Sequence, residues 1–301
     1  MRRRALLALA GCALAALLLA VLLRDGDIDT LARAWRALPP SLWALASAGL
    51  VASYLLRALR LHCEWGPRAA AGWCDCLRLL LVHNAAVNLL PLRSGEASYA
   101  LLIRSRFGVP LAEAVASLLR LRAQDAVVLA AFAVFWLLPL RPALAGALAL
   151  GLVALAALSA PSLALALRRV RLPVFDRAGP IAGDFASTRR LAGWAYAGAN
   201  WCLKLLVLGT LLAALAQGPV AAGVRGALGG ELGALLPLAA PAALGTYEAG
   251  VWIAAALRGG FDLAQVGPAA LAVHLFSLLV STAAAALSPL LGAVAQPARE
   301  R

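Results

Sequence analysis

The sequence predicts an all-α polytopic membrane protein, a single integral membrane domain over 1–301 with about six full spans and two broken or re-entrant helical segments. That makes about eight hydrophobic segments, and the paired breaks suit an inverted pseudo-repeat. Three observations lead there. Of 301 residues, 63% are apolar and only 14% charged, with a mean hydropathy of +0.86. A soluble domain carries about a quarter charged residues, and a globule of this composition would expose large apolar patches. The apolar runs approach the ~20 residues a spanning helix needs. The basic residues, 27 Lys plus Arg against 14 Asp plus Glu for a net +13, cluster at the ends of those runs. They form no stripe interleaved with aromatics on a soluble fold, so nucleic acid is not the expected partner. They suit topology setting instead.

Arg2 to Arg4 precede an apolar run over 5–23. The run is long enough to span, and Arg24-Asp25-Gly26-Asp27 is a poor cleavage site, so an uncleaved first helix is expected, with its N-terminus in the cytoplasm. Ile28, Leu31, Trp35 and Leu38 fall at helical spacing and predict a short interfacial helix ended by Pro39 and Pro40. Full spans are expected over 41–59, 110–140, 142–167, 191–216 and 266–292. The loops around 57–78, 104–122 and 168–190 are expected in the cytoplasm of a bacterial inner membrane, as is the C-terminal tail. The last of these loops holds six arginines against two aspartates. Counting both broken segments as full spans would put it outside, so charge bias favours re-entrant segments.

The first broken segment, 73–103, is interrupted by His83, Asn84, Asn88, Pro91, Arg93, Gly95 and Glu96. The second, 223–258, is interrupted by Gly229, Gly230, Glu231, Pro237, Pro241, Gly245 and Glu248. Both contain Leu-Leu-Pro-Leu, then a glycine, then Glu-Ala. Proline removes a backbone donor and glycine loosens the turn, so Pro91, Gly95, Pro241 and Gly245 are the structural residues at the breaks. Non-helical backbone at membrane depth is tolerated only inside protein or against a wet cavity. Paired broken helices in the two halves of a chain point to a transporter's binding site.

Ionisable residues inside a membrane are costly and are usually paired or functional. Arg93 and Glu96 are three apart, as are Arg122 and Asp125, which places each pair on one face where the chain is helical. Two readings stay open. The pairs neutralise one another to permit insertion, or arginine grips a phosphate while a carboxylate takes a proton or an ammonium. Glu96 and Glu248 also suit helix N-terminal capping. Lys204, mid-span, calls for a buried partner, with Glu231 or Glu248 as candidates. His83 and His274 read as satisfied interior histidines. Cys12, Cys63, Cys74, Cys76 and Cys202 form no zinc set, so no metal and no cofactor is expected.

The stretch from Asn88 to Asp125, together with Pro241 to Gly250, resembles the flippase-like transmembrane region of lysylphosphatidylglycerol synthases, which also occurs as stand-alone membrane proteins. The pattern runs Asn88, then Pro91-x-Arg93-x-Gly95-Glu96, then Arg122-x-x-Asp125, then Pro241-x-x-x-Gly245-x-x-Glu248. Two departures stand out. Tyr99 replaces a frequent basic residue, and Ala242-Ala243 replaces a frequent Gly-Gly. The resemblance covers about 5–292 and implies transbilayer movement of a lipid or polyprenyl-linked headgroup. Asn88, Arg93, Glu96, Arg122, Asp125 and Glu248 would bind it in a polar groove built from the two broken helices. No soluble aminoacyltransferase domain is expected, and no Walker pattern for ATP hydrolysis is present. Two alternatives stay open: a membrane-embedded transferase using a lipid phosphate donor, and a non-catalytic partner of a separate lipid-modifying enzyme.

Overall fold

Apolar runs of this length can satisfy their backbone polar groups in lipid only as helices. In the computed structural model, which describes residues 28–169, 191–236 and 241–291, helices are the only regular structure. In chain order they are α1 (Ile28–Ala37), α2 (Pro40–Ala69), α3 (Trp73–Leu89), α4 (Ala97–Phe107), α5 (Leu111–Leu137), α6 (Pro142–Arg169), α7 (Leu191–Leu215), α8 (Val220–Ala234), α9 (Thr246–Arg258) and α10 (Leu263–Leu287). Short 3-10 turns occupy Pro91–Glu96, Pro241–Ala243 and Ser288–Leu291. Among the described residues, four helices are long and apolar enough to cross a membrane: Pro40–Ala69, Pro142–Ser159, Ala192–Leu215 and Leu263–Leu291. The protein is a multi-pass, all-α membrane protein. The expected first span, 5–23, and the tail lie outside the described residues, as does nearly all of the 168–190 loop.

The short helix expected after Asp27 is α1, and it stops before the Pro39-Pro40 pair. Its Trp35 ring meets Trp43 edge-on at 6.5 Å, and Trp43 packs on Phe276 of α10 at 4.8 Å. α5 is one unbroken helix of 27 residues that carries Glu113, Arg120, Arg122 and Asp125 in its first half. Two expected loops are corrected. Residues 57–69 continue α2 as helix, and 111–122 belong to α5, so only 70–72 and 108–110 connect helices there. Gly108 closes α4 in the left-handed conformation (φ 69°), its N–H donating to the carbonyl of Arg104, the usual glycine stop.

The chain divides into two compact units. Among the described residues, one comprises 28–48, 84–95, 206–236 and 241–282, the other 49–83, 96–169, 191–205 and 283–291. In the second unit α3 and α4 fold back as a hairpin. His83 meets Ser98 near the break, while Cys76 and Leu79 share a core with Ile103 and with Leu61 and Trp65 of α2.

In the first unit α8 and α9 form a second hairpin, built from glycine. A Cβ on Gly229 would overlap the carbonyl of Gly250, and one on Gly233 would overlap the carbonyl of Thr246. Nearer the open end, Gly226 faces Val251 and Gly260 faces Ala222. The residue numbers fall on one helix as they rise on the other, so the pair is antiparallel. Small residues let helix backbones approach in lipid, where no hydrophobic drive brings helices together. With 15 and 13 residues, α8 and α9 are roughly 22 and 20 Å long, short of a ~30 Å hydrocarbon core. Both interrupted segments are therefore helical hairpins.

Candidate functional site

The charged residues of α2 and α5 face one another inside the second unit. Arg60 is 6% exposed, in the C-terminal half of α2. Its Nη1 donates to Asp125 Oδ1 at 2.7 Å, and its Nη2 donates to Gln124 Oε1 at 2.6 Å and to the carbonyl of Leu121 at 3.0 Å. Trp201 Nε1 of α7 adds a donor to the same Asp125 oxygen at 3.3 Å. One turn further along α2, Glu64 pairs with Arg120 of α5. Each buried charge thus meets an opposite charge or an aligned dipole, as a low dielectric requires.

Arg122 is the most exposed member, with 31% of its side chain accessible, against 22% for Glu96. Its Nε and Nη2 both donate to Glu96 Oε2, at 3.0 and 2.7 Å, while Nη1 lies 3.6 Å from Asp125 Oδ2. His83 Nε2 sits 3.9 Å from the Glu96 carboxylate, and Nδ1 is hydrogen-bonded to Ser98 Oγ at 2.8 Å. Arg57, half-buried on α2, has Arg122, Asp125 and Arg60 as electrostatic neighbours. Among the described groups named here, four guanidinium groups (Arg57, Arg60, Arg120, Arg122) stand against three carboxylates (Glu64, Glu96, Asp125), a surplus of one positive charge. Below this cluster a buried chain runs from Trp65 Nε1 to Tyr99 Oη at 3.1 Å and on to Ser117 Oγ at 2.8 Å.

In the first unit, Glu248 occupies the third position of α9. One of its oxygens accepts the Gly245 N–H at 2.7 Å, closing the helix N-terminus, and the other meets His274 Nδ1 of α10 at 2.6 Å. Tyr247 stacks on the His274 ring at 4.2 Å. Asn88 Nδ2 donates to Ser281 Oγ at 3.0 Å.

Of the residues singled out by sequence, Glu96, Arg122 and Asp125 come together in one cluster. Asn88 and Glu248 each have a separate partner within the first unit. Arg93 lies in the 3-10 turn Pro91–Glu96, with its side chain outside the described part, as is that of Pro91. The Arg122–Asp125 pair sits on one helix as its spacing predicts. Glu96 has a partner that spacing does not reveal, because Arg122 lies 26 residues on. Lys204 Nζ lies over the Trp201 indole at 5.2 Å.

Arg60 is a correction: the sequence places it with the topology-setting arginines of a loop, whereas it is a buried anchor of the cluster. Glu64, Gln124 and Trp201 are additions. The signal for Arg60 and Glu64 was present, since Arg57, Arg60 and Glu64 keep helical spacing past residue 59.

The two glycines at the breaks serve different ends. Gly95 is needed for space, since a Cβ there would overlap the Ala86 carbonyl. Gly245 is needed for its backbone, at φ 82° with open space around it. Ala242 and Ala243, next to Pro241, also sit at positive φ, 56° and 57°, a conformation that disfavours any residue with a Cβ.

The chain matches the family model described as lysylphosphatidylglycerol synthase TM region over residues 8–285. No curated protein and no solved structure matches it. The match spans well over half of the sequence, and the chain belongs to this family of membrane proteins. That membership points to a role connected with membrane lipids.

Proposed function

We propose, from that membership, that the protein moves a lipid or lipid-linked headgroup across the bilayer, and that the Arg122 cluster binds the headgroup's phosphate. The observation that carries this reading is the surplus of one guanidinium over carboxylates among the described groups of a cluster whose Arg122 is partly exposed. Arg122 is held from behind by Glu96 and Asp125. A passive bundle has no use for an excess charge at that depth, where each ion is expensive. A phosphate monoanion or diester would neutralise it, and a planar guanidinium offers the matching pair of donors.

Glu96 serves as the counter-charge that holds Arg122 in place until the headgroup competes for it. The proposed setting is a bacterial cytoplasmic membrane with both termini inside, where the arginine-rich stretch 168–190 favours the cytoplasmic side.

The test is headgroup accessibility of a fluorescent anionic phospholipid in proteoliposomes. A charge-assisted hydrogen bond contributes about 1.5–3 kcal/mol, so Arg122→Gln is expected to slow flipping roughly ten- to a hundredfold. Glu96→Gln, which removes the counter-charge of Arg122, should also change the flip rate. Wild-type rates in both variants would sink the assignment.

A further inference from the structure

The open end of the second hairpin gathers four chain segments: the end of α7, the start of α8, the end of α9 and the start of α10. Gly218 lies against Phe261 and Gly260 there. Two arginines sit at this end, Arg225 on α8 and Arg258 at the last position of α9. Arg225 Nη2 donates to the carbonyl of Gly259 at 3.2 Å, which holds it beside the residue that follows Arg258. The two like charges are electrostatic neighbours.

No carboxylate pairs with either one among the described residues. Asp262, the acidic residue of this turn, caps α10 instead, accepting the Ala264 N–H at 3.0 Å. Arg225 Nε is buried without an acceptor, while Arg258, Gly259 and Gly260 are exposed. Two neighbouring cations with no carboxylate partner among the described residues suit an anion with several acceptor oxygens. On the proposed orientation this face points away from the cytoplasm, so the charges are not explained by topology setting.

We propose that Arg225 and Arg258, with the exposed Gly259-Gly260 turn between α9 and α10, form a second anion site that holds the phosphate of an anionic lipid headgroup at the membrane surface. The glycines keep the turn low, so a headgroup can approach both guanidinium groups while its acyl chains stay beside the hairpin. This site stands on residues of the first unit and does not depend on the translocation reading.

The test uses the full-length protein in nanodiscs of phosphatidylglycerol or phosphatidylcholine, with lipid retention read by native mass spectrometry after detergent release. Wild type should retain phosphatidylglycerol over phosphatidylcholine by at least about threefold, and Arg225→Gln/Arg258→Gln should lose most of the difference. If the double variant does not fold, Arg258→Gln alone, an exposed change, should lose part of it. Equal retention by wild type and the variants overturns the proposal. Displacement of the retained lipid by millimolar inorganic phosphate overturns the lipid as the source, in favour of a soluble anion.

Discussion

Arg60 shows how a single side chain can carry an element's position. Its guanidinium joins α2 to three groups of α5, all of them buried or half-buried. Removing one member of a buried pair strands the other, at a cost of about 3 kcal/mol. Arg60→Gln should therefore lower the thermal midpoint in detergent by several degrees. The double variant Arg60→Gln/Asp125→Asn should recover part of that loss, and strict additivity would show the pair is not coupled.

The Ala242-Ala243 step makes the opposite prediction. Both residues hold a left-handed backbone that glycine adopts freely. Ala243→Gly should stabilise the protein by roughly 0.5–1 kcal/mol, seen as a higher midpoint with unchanged activity. At this scale the Arg122–Asp125 pair was legible, because three residues apart on a helix is a local relation. The Arg60–Asp125 pair was not, because its 65-residue separation leaves no spacing to read.

Among elements, the two hairpins were the most legible feature, since proline and glycine mark where helices must break. What the sequence concealed was how each hairpin closes. The α8–α9 contact is backbone against backbone at Gly229 and Gly233, while Gly230 makes room for the Tyr247 and Val251 side chains. A side chain at Gly229 would have to displace the Gly250 carbonyl. Gly229→Val should therefore separate the helices and lower expression and monodispersity in size-exclusion chromatography, whereas Gly267→Ala, a change in open space, should leave both unchanged. The length of α2 was misjudged for a physical reason. Arg60 looks like a membrane boundary, but it turns inward to Asp125, as Glu64 does to Arg120, and the helix continues to Ala69.

For the molecule as a whole, composition alone set the class, because a chain this apolar has no soluble alternative. The division of the 27 basic residues was harder to see. Charge counts treat every arginine at the end of an apolar run as a topological marker, yet Arg57 and Arg60 belong to the interior, and Arg225 and Arg258 lie at the open end of a hairpin. If flipping is the activity, its rate should fall with rising salt far less than surface binding of anionic lipid does. The Arg122 cluster is shielded by protein, whereas Arg258 is exposed to screening ions. Parallel salt titrations of flip rate and lipid retention would check this.

The shortness of the glycine-packed hairpin has an electrical consequence. On the proposed re-entrant placement, helices of about 22 and 20 Å entering a hydrocarbon layer of about 30 Å end roughly 8 Å or more short of its far side. Wherever water follows the polar tip at Gly245 and Glu248, the membrane voltage falls across that remaining slab instead of the full thickness. The field there is several times steeper, and a charged group crossing it feels the cell's potential over a much shorter distance.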